Sequence, residues 1–149
     1  MIDEKVMTDP ARRLLQLGVA LLLLGLIIGL AIPTLAVPRL GVAAHVNAVI
    51  GALFLLAFGL IWPRLRLGSG SSRLAFWLAP YSFFVASLMP LLGGIWKAGA
   101  TMLPLAAGAA RGSSFQEGVI AVGLITAAIA IITVCGLLFY GLRNDDGSA

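Results

Sequence analysis

His45 is the only histidine in the chain. It stands at the start of a long apolar stretch, in the run Arg39-Leu-Gly-Val-Ala-Ala-His45-Val-Asn47-Ala-Val-Ile-Gly51. An imidazole at a bilayer edge is costly to place without a partner, so an ionisable group there is read first as functional. Neutral imidazole is also the usual protein ligand for haem iron, which makes axial ligation one chemistry open to it. The plainer alternative is an interfacial ring bonded to a headgroup or to backbone. Asn47 follows two residues later; at about 100° per residue it points to nearly the opposite side of a helix. It either serves a second pocket or bonds a neighbouring helix. Tyr81 offers a hydroxyl that can donate a hydrogen bond or a proton, or one simply satisfied within packing. Glu117, beside Gln116, opens another apolar run, where the helix dipole alone favours a carboxylate.

These side chains depend on elements that hold them in lipid. Hydrophobic residues make up 60% of the 149 and charged residues 11%, and mean hydropathy is +1.06. Soluble domains carry roughly one-quarter charged residues. A chain this apolar must use lipid as part of its solvent, and its length fits one domain over residues 1–149. The net charge of +4 is no nucleic-acid footprint, because no basic cluster alternates with aromatics. The basic residues lie beside apolar segments, where anionic headgroups are the natural partner. The single Cys135 rules out an intrachain disulfide.

A hydrocarbon core of about 30 Å takes roughly 20 apolar residues as helix. Four stretches qualify, at about 14–34, 44–62, 74–96 and 117–142. The expected fold is therefore an all-α integral membrane protein, a four-transmembrane-helix bundle. Pro80 and Pro90 predict a kinked or broken third span. Gly68-Ser-Gly-Ser-Ser72 reads as a flexible linker, and the segment from Lys97 to Gln116 as a lid or a shielded re-entrant piece. Lys5, Arg12, Arg13, Arg64, Arg66, Arg73 and Arg143 fall on one side, Arg39, Lys97 and Arg111 on the other. The positive-inside rule then places both termini in the cytoplasm, as for a bacterial inner-membrane protein. The start, Met1 to Asp9, is polar and acidic and no small-residue site closes the first apolar run, so no cleavable signal peptide is expected. Gly25 and Gly29 form a small-xxx-small pair, which serves either packing within the bundle or a subunit interface. No P-loop, dinucleotide turn, Cys-x-x-Cys or second histidine is present, so the soluble-enzyme signatures and a zinc cluster are excluded.

Several segments in order resemble the hydroxylaminobenzene mutases, relatives of styrene oxide isomerase. They are Pro38 to His45, Trp62-Pro-Arg-Leu-Arg-Leu67, Leu74-Ala-Phe-Trp-Leu78 with Tyr81, and Gly112 to Glu117. The resemblance runs from about Arg12 to Arg143. It implies a membrane isomerase of small aromatic compounds, arylhydroxylamine to aminophenol. From the isomerase branch it implies a homotrimer with haem b between neighbouring subunits. The residue matching His45 is then the axial ligand, and ferric iron is a Lewis acid on the substrate oxygen. A neutral aromatic substrate partitions into lipid and reaches such a site. Asn47 and Tyr81 are the candidate catalytic groups, with Phe54, Phe76, Trp77 and Phe84 as candidate aromatic walls. Two positions depart from the family pattern: Gly51 stands where the isomerase branch carries asparagine, and Ala86 near where the mutases offer one. Those departures favour a rival, a haem-binding or sensing protein without catalysis. A second rival is a membrane scaffold or transporter subunit without haem.

Overall fold

The computed structural model describes residues 9–143; Lys5, the polar start and the residues after Arg143 lie outside them. Among the described residues the chain is all-helical, and four helices are long and apolar enough to cross a membrane. The helices are α1 (Asp9–Ala31), α2 (Pro38–Ile61), α3 (Ser69–Trp96), the single turn α4 (Pro104–Ala107) and α5 (Ser114–Leu142). This is an all-α integral membrane protein, as composition requires.

Local chemistry sets the helix ends. Asp9 in the first turn of α1 meets the positive end of the helix dipole. Pro33 and Pro63 lie in short 3₁₀ turns that close α1 and α2. Pro38 occupies the first position of α2, where its missing N–H costs nothing. Ser113 caps α5 in a reciprocal box: its backbone N–H donates to Gln116 Oε1 at 2.8 Å, and its Oγ accepts from the Gln116 N–H at 3.3 Å.

Two expectations need correction. Residues 69–72 form the first turn of α3 and not a linker; Gly68 precedes that turn, and the Ser72 N–H closes on the Gly68 carbonyl at 2.9 Å. The helix propagates backward from the apolar run because each added residue gains a bond once a nucleus exists. And of the two alternatives for α3, kinked or broken, the break is overturned, for the helix runs unbroken through Pro80 and Pro90.

The helices pack in sequence order, α1 on α2, α2 on α3 and α3 on α5, with a lighter contact between α1 and α3. The buried positions of α1, Ala11, Leu14, Gly18, Leu21, Gly25 and Ile28, alternate in steps of three and four. That is the seam of two helices wound at a shallow angle. Small residues close it: a Cβ on Gly18 would lie 3.1 Å from the Ala52 carbonyl, and one on Gly25 would lie 3.0 Å from the Ala48 Cβ. The Gly25/Gly29 pair thus serves packing within the bundle, against Ala48 and His45 of α2. Outward-facing Leu30 is 84% exposed and Ile132 71%, as lipid-facing side chains should be.

Candidate functional site

α2 begins at Pro38, six residues before the expected start. His45 therefore lies roughly 10 Å along the helix from its start, at 1.5 Å per residue. Its ring turns toward α1, where Nδ1 lies 2.7 Å from the Gly25 carbonyl oxygen. A carbonyl has no proton to give, so Nδ1 carries the hydrogen and donates it. Nε2 is then left with the lone pair. This is how metal-binding imidazoles are held, one nitrogen fixed by a backbone carbonyl and the other free to ligate. Gly29 makes room for the ring: a Cβ there would lie 2.9 Å from Nδ1 and 3.1 Å from Cε1. The partly exposed ring is seated on a glycine shelf of α1, one turn of which carries the acceptor.

Asn47 reaches the other way. Its Nδ2 donates to the Ala86 carbonyl at 3.0 Å. Ala86 lies four residues before Pro90, which has no N–H to return to it. Asn47 thus supplies the donor that Pro90 removes, and α3 tolerates its second proline inside lipid. Asn47 also lines a cavity of about 230 Å³ with Gly51, Ser82 and Phe83, closed on the far side by Leu124 and Ala128 of α5.

Gly51 has a steric reason to be glycine. A Cβ would lie 2.8 Å from the Phe83 Cβ, so an asparagine here would force α3 away. Phe83 fills that space and stacks on Phe54, with centroids 5.6 Å apart and planes at 2°. Of the candidate aromatic walls, Phe54 thus packs on Phe83 between α2 and α3. Phe76 instead meets Trp77 and Trp62 edge-on, at 5.3 and 6.2 Å.

Tyr81 lies on a third seam, between α3 and α5. Its hydroxyl is 2.8 Å from Thr126 Oγ1. Thr126 has one proton, and its oxygen lies 2.9 and 3.0 Å from the Val122 and Gly123 carbonyls. That proton goes to a carbonyl, so Tyr81 is the donor in the pair. The two hydroxyls border a cavity of about 600 Å³ lined by Val85, Met89, Phe115 and Val122.

Glu117 gathers the loop of residues 97–113. Its Oε1 accepts from the N–H groups of Gly99, Ala100 and Gly112 at 2.9, 3.2 and 3.2 Å, and Oε2 from Thr101 at 3.1 Å. Sequence placed this carboxylate at a helix start but gave no sign of its partners. It also missed the links from His45 to Gly25 and from Asn47 to Pro90; the spacing of Pro90 from Ala86 was the signal for the second. His45, Asn47 and Tyr81 face three different seams, and the fold of the single chain does not bring them together. No cluster of three or more His, Cys, Asp or Glu side chains occurs among the described residues, so a ligated metal would depend on His45 and a group brought with it.

The family model for styrene oxide isomerase matches residues 10–143. Hydroxylaminobenzene mutase HabB of Ectopseudomonas oleovorans is 48% identical over 134 residues, 90% of this chain and 82% of that protein. Hydroxylaminobenzene mutase HabA of the same organism is 34% identical over 125 residues, 84% of this chain and 93% of that one. No solved structure matches.

Proposed function

The chain belongs to the styrene oxide isomerase family, and from that premise we propose that this membrane isomerase converts arylhydroxylamines to aminophenols with the help of haem b. The observation that carries the proposal is the state of His45: Nδ1–H is committed to the Gly25 carbonyl, which leaves Nε2 as a lone-pair donor within an apolar wall. His45 would hold the iron of such a group, and the bound group would supply Lewis acidity toward the substrate oxygen. The residues of the chain do the rest. Gly25 fixes the tautomer and direction of the ring. Lipid-facing apolar walls admit a neutral aromatic and keep water out. Asn47, whose Nδ2 is occupied by Ala86, presents Oδ1 toward substrate, and Tyr81 presents its hydroxyl.

The rearrangement moves a hydroxyl from nitrogen to a ring carbon. An N–O bond breaks and a C–O bond forms; the ring carbon gives up its proton and nitrogen gains one, so no external oxidant or reductant is needed. The separation of His45 from Tyr81 and Asn47 within one protomer supports a site shared between subunits of a homotrimer. Both termini lie in the cytoplasm of a bacterial inner membrane on this reading, supported by the basic residues at one end of the bundle. Reporter fusions after Ala149 and within residues 98–111 then give opposite locations.

The test is turnover by protein purified in mild detergent after growth with haem supplied. Hydroxylaminobenzene should yield an aminophenol, the preparation should show a Soret band, and its intact mass should be that of a trimer. An active protein without haem would overturn the mechanism, and a monomer that binds haem would overturn the shared site.

A further inference from the structure

A second built feature lies far from His45, between the ends of α1 and α3 that carry Arg13 and Arg73. We propose that this cleft holds one anionic phospholipid, with its phosphate between the two guanidinium groups and an acyl chain running down the seam. Two cavities of about 440 Å³ each share Arg13, Phe76 and Trp77 and so form one trough. The rim is polar, with Asp9, Ser72 and both arginines. Below it the walls are mainly apolar, with Leu17, Ala20 and Pro80 and the single amide of Gln16.

The two helices are matched in register. As first and third of alternating spans, α1 and α3 enter the membrane in the same direction. Their lining residues recur every three or four positions, on one face of each helix. In both, polar residues and the arginine come first and mainly apolar groups follow, with Gln16 the exception. Arg13 to Ala20 and Arg73 to Pro80 each cover seven steps, roughly 10 Å of helix. Cations at one level with an apolar trough beneath reproduce the profile of a phosphate above its acyl chain, and basic pockets between membrane helices favour anionic headgroups. Trp77, 62% exposed, suits the boundary, where an indole buries its rings and keeps its N–H near water.

Charge selects the headgroup. Asp9 offsets one of the two arginines, so the rim has a net charge of one positive. A phosphodiester with a neutral, hydroxyl-bearing headgroup, as in phosphatidylglycerol, cancels that charge, and its hydroxyl can donate to Asp9. A choline headgroup brings its own cation and leaves the rim uncompensated. Free phosphate would use the arginines but leave the trough unexplained.

The experiment is native mass spectrometry of delipidated full-length protein, offered equal amounts of dioleoyl phosphatidylglycerol and dioleoyl phosphatidylcholine. We expect phosphatidylglycerol to be retained with a preference on the order of tenfold, as two cations at a headgroup imply. The double substitution Arg13→Gln/Arg73→Gln should abolish that preference. Arg12→Gln, which removes one positive charge a residue away from Arg13 but outside the cleft, should keep it. Inorganic phosphate should not displace the lipid. Equal retention of the two lipids, equal loss in Arg12→Gln, displacement by phosphate, or a change of oligomer mass in the double variant would each overturn the proposal. A second measurement avoids the arginine variants. In Trp96→Phe protein, whose remaining indoles Trp62 and Trp77 both line the trough, phosphatidylglycerol brominated on its acyl chains should quench the emission more than brominated phosphatidylcholine does; equal quenching counts against the site.

Discussion

The α1/α2 seam and the α2/α3 seam each contain one bond from a polar side chain of α2 to a neighbouring helix carbonyl, and the two bonds do different work. On the α2/α3 side, Asn47 meets the Ala86 carbonyl, which lost its helical donor to Pro90. Without Asn47 a backbone acceptor would be stranded in a low-dielectric interior. On the α1/α2 side, the Gly25 carbonyl lies inside an uninterrupted helix, where Gly29 N–H already serves it. The His45 bond there repairs nothing. Its consequence falls on the ring, whose tautomer and direction it sets. A polar contact that fills a backbone vacancy points to stability, and one that adds to a satisfied backbone points to what the side chain does with its other atoms.

The sharpest way to break this comparison is His45→Ala. The substitution should remove the Soret band and lower turnover by at least on the order of a hundredfold, since even partners behind a metal ligand are worth 10- to 100-fold. Insertion and thermal stability should change little, because no backbone group is orphaned and no second histidine can replace the ring. An unchanged Soret band would show that another residue holds the iron. Next in size is Gly29→Ala. The new Cβ would stand 2.9 Å from Nδ1, so the ring must shift off the Gly25 carbonyl. Turnover should fall roughly tenfold to a hundredfold with a displaced or weakened Soret band. Wild-type spectra and rates in this variant would mean that the shelf does not orient the ring.

Asn47→Leu tests the other seam. It should destabilise the protein in thermal unfolding by about 1–3 kcal/mol, the cost of an unsatisfied buried acceptor, and leave the Soret band in place. Adding Pro90→Ala should restore that stability, because an alanine in place of the proline returns an N–H to the Ala86 carbonyl. Turnover should stay reduced in the double variant, since the Oδ1 proposed to face substrate is still missing. Failure of Pro90→Ala to rescue stability would sever the link between the two residues.

The four spans were legible because lipid demands long apolar runs, and composition alone supplies that signal. Their ends were less so. α2 starts at Pro38 through a stretch containing Arg39 and Gly41, too mixed for a hydropathy reading but well suited to a first helical turn. Residues 69–72 have the composition of a linker, yet a helix already nucleated by Leu74 and its followers extends through them. Prolines in α3 suggest a break because the local rule sees only the missing N–H; Asn47, 39 residues away in sequence from Ala86, is invisible to it. The site shows the same division. Residue type points to His45 and to Glu117 at a helix start. The carbonyl that orients one comes from a distant chain segment, as do three of the four amides that surround the other, those of Gly99, Ala100 and Thr101.

Tyr81→Phe should give the smallest effect, and it extends the comparison to the α3/α5 seam. Tyr81 donates to Thr126, whose own proton already serves a carbonyl of α5. Removing the hydroxyl leaves Thr126 satisfied as a donor and opens no backbone vacancy, so the loss should stay near one ordinary hydrogen bond, about 1 kcal/mol in thermal unfolding. By the same logic that separates His45 from Asn47, a bond to a satisfied partner leaves room for a second role. Tyr81, 43% exposed beside its cavity, can turn its hydroxyl toward a substrate without stranding Thr126. Turnover should then fall by no more than about tenfold, the worth of a single hydrogen bond, with the Soret band unchanged. A loss as large as that of His45→Ala would place Tyr81 at the reacting atoms. An unchanged rate would assign it to packing between α3 and α5 alone.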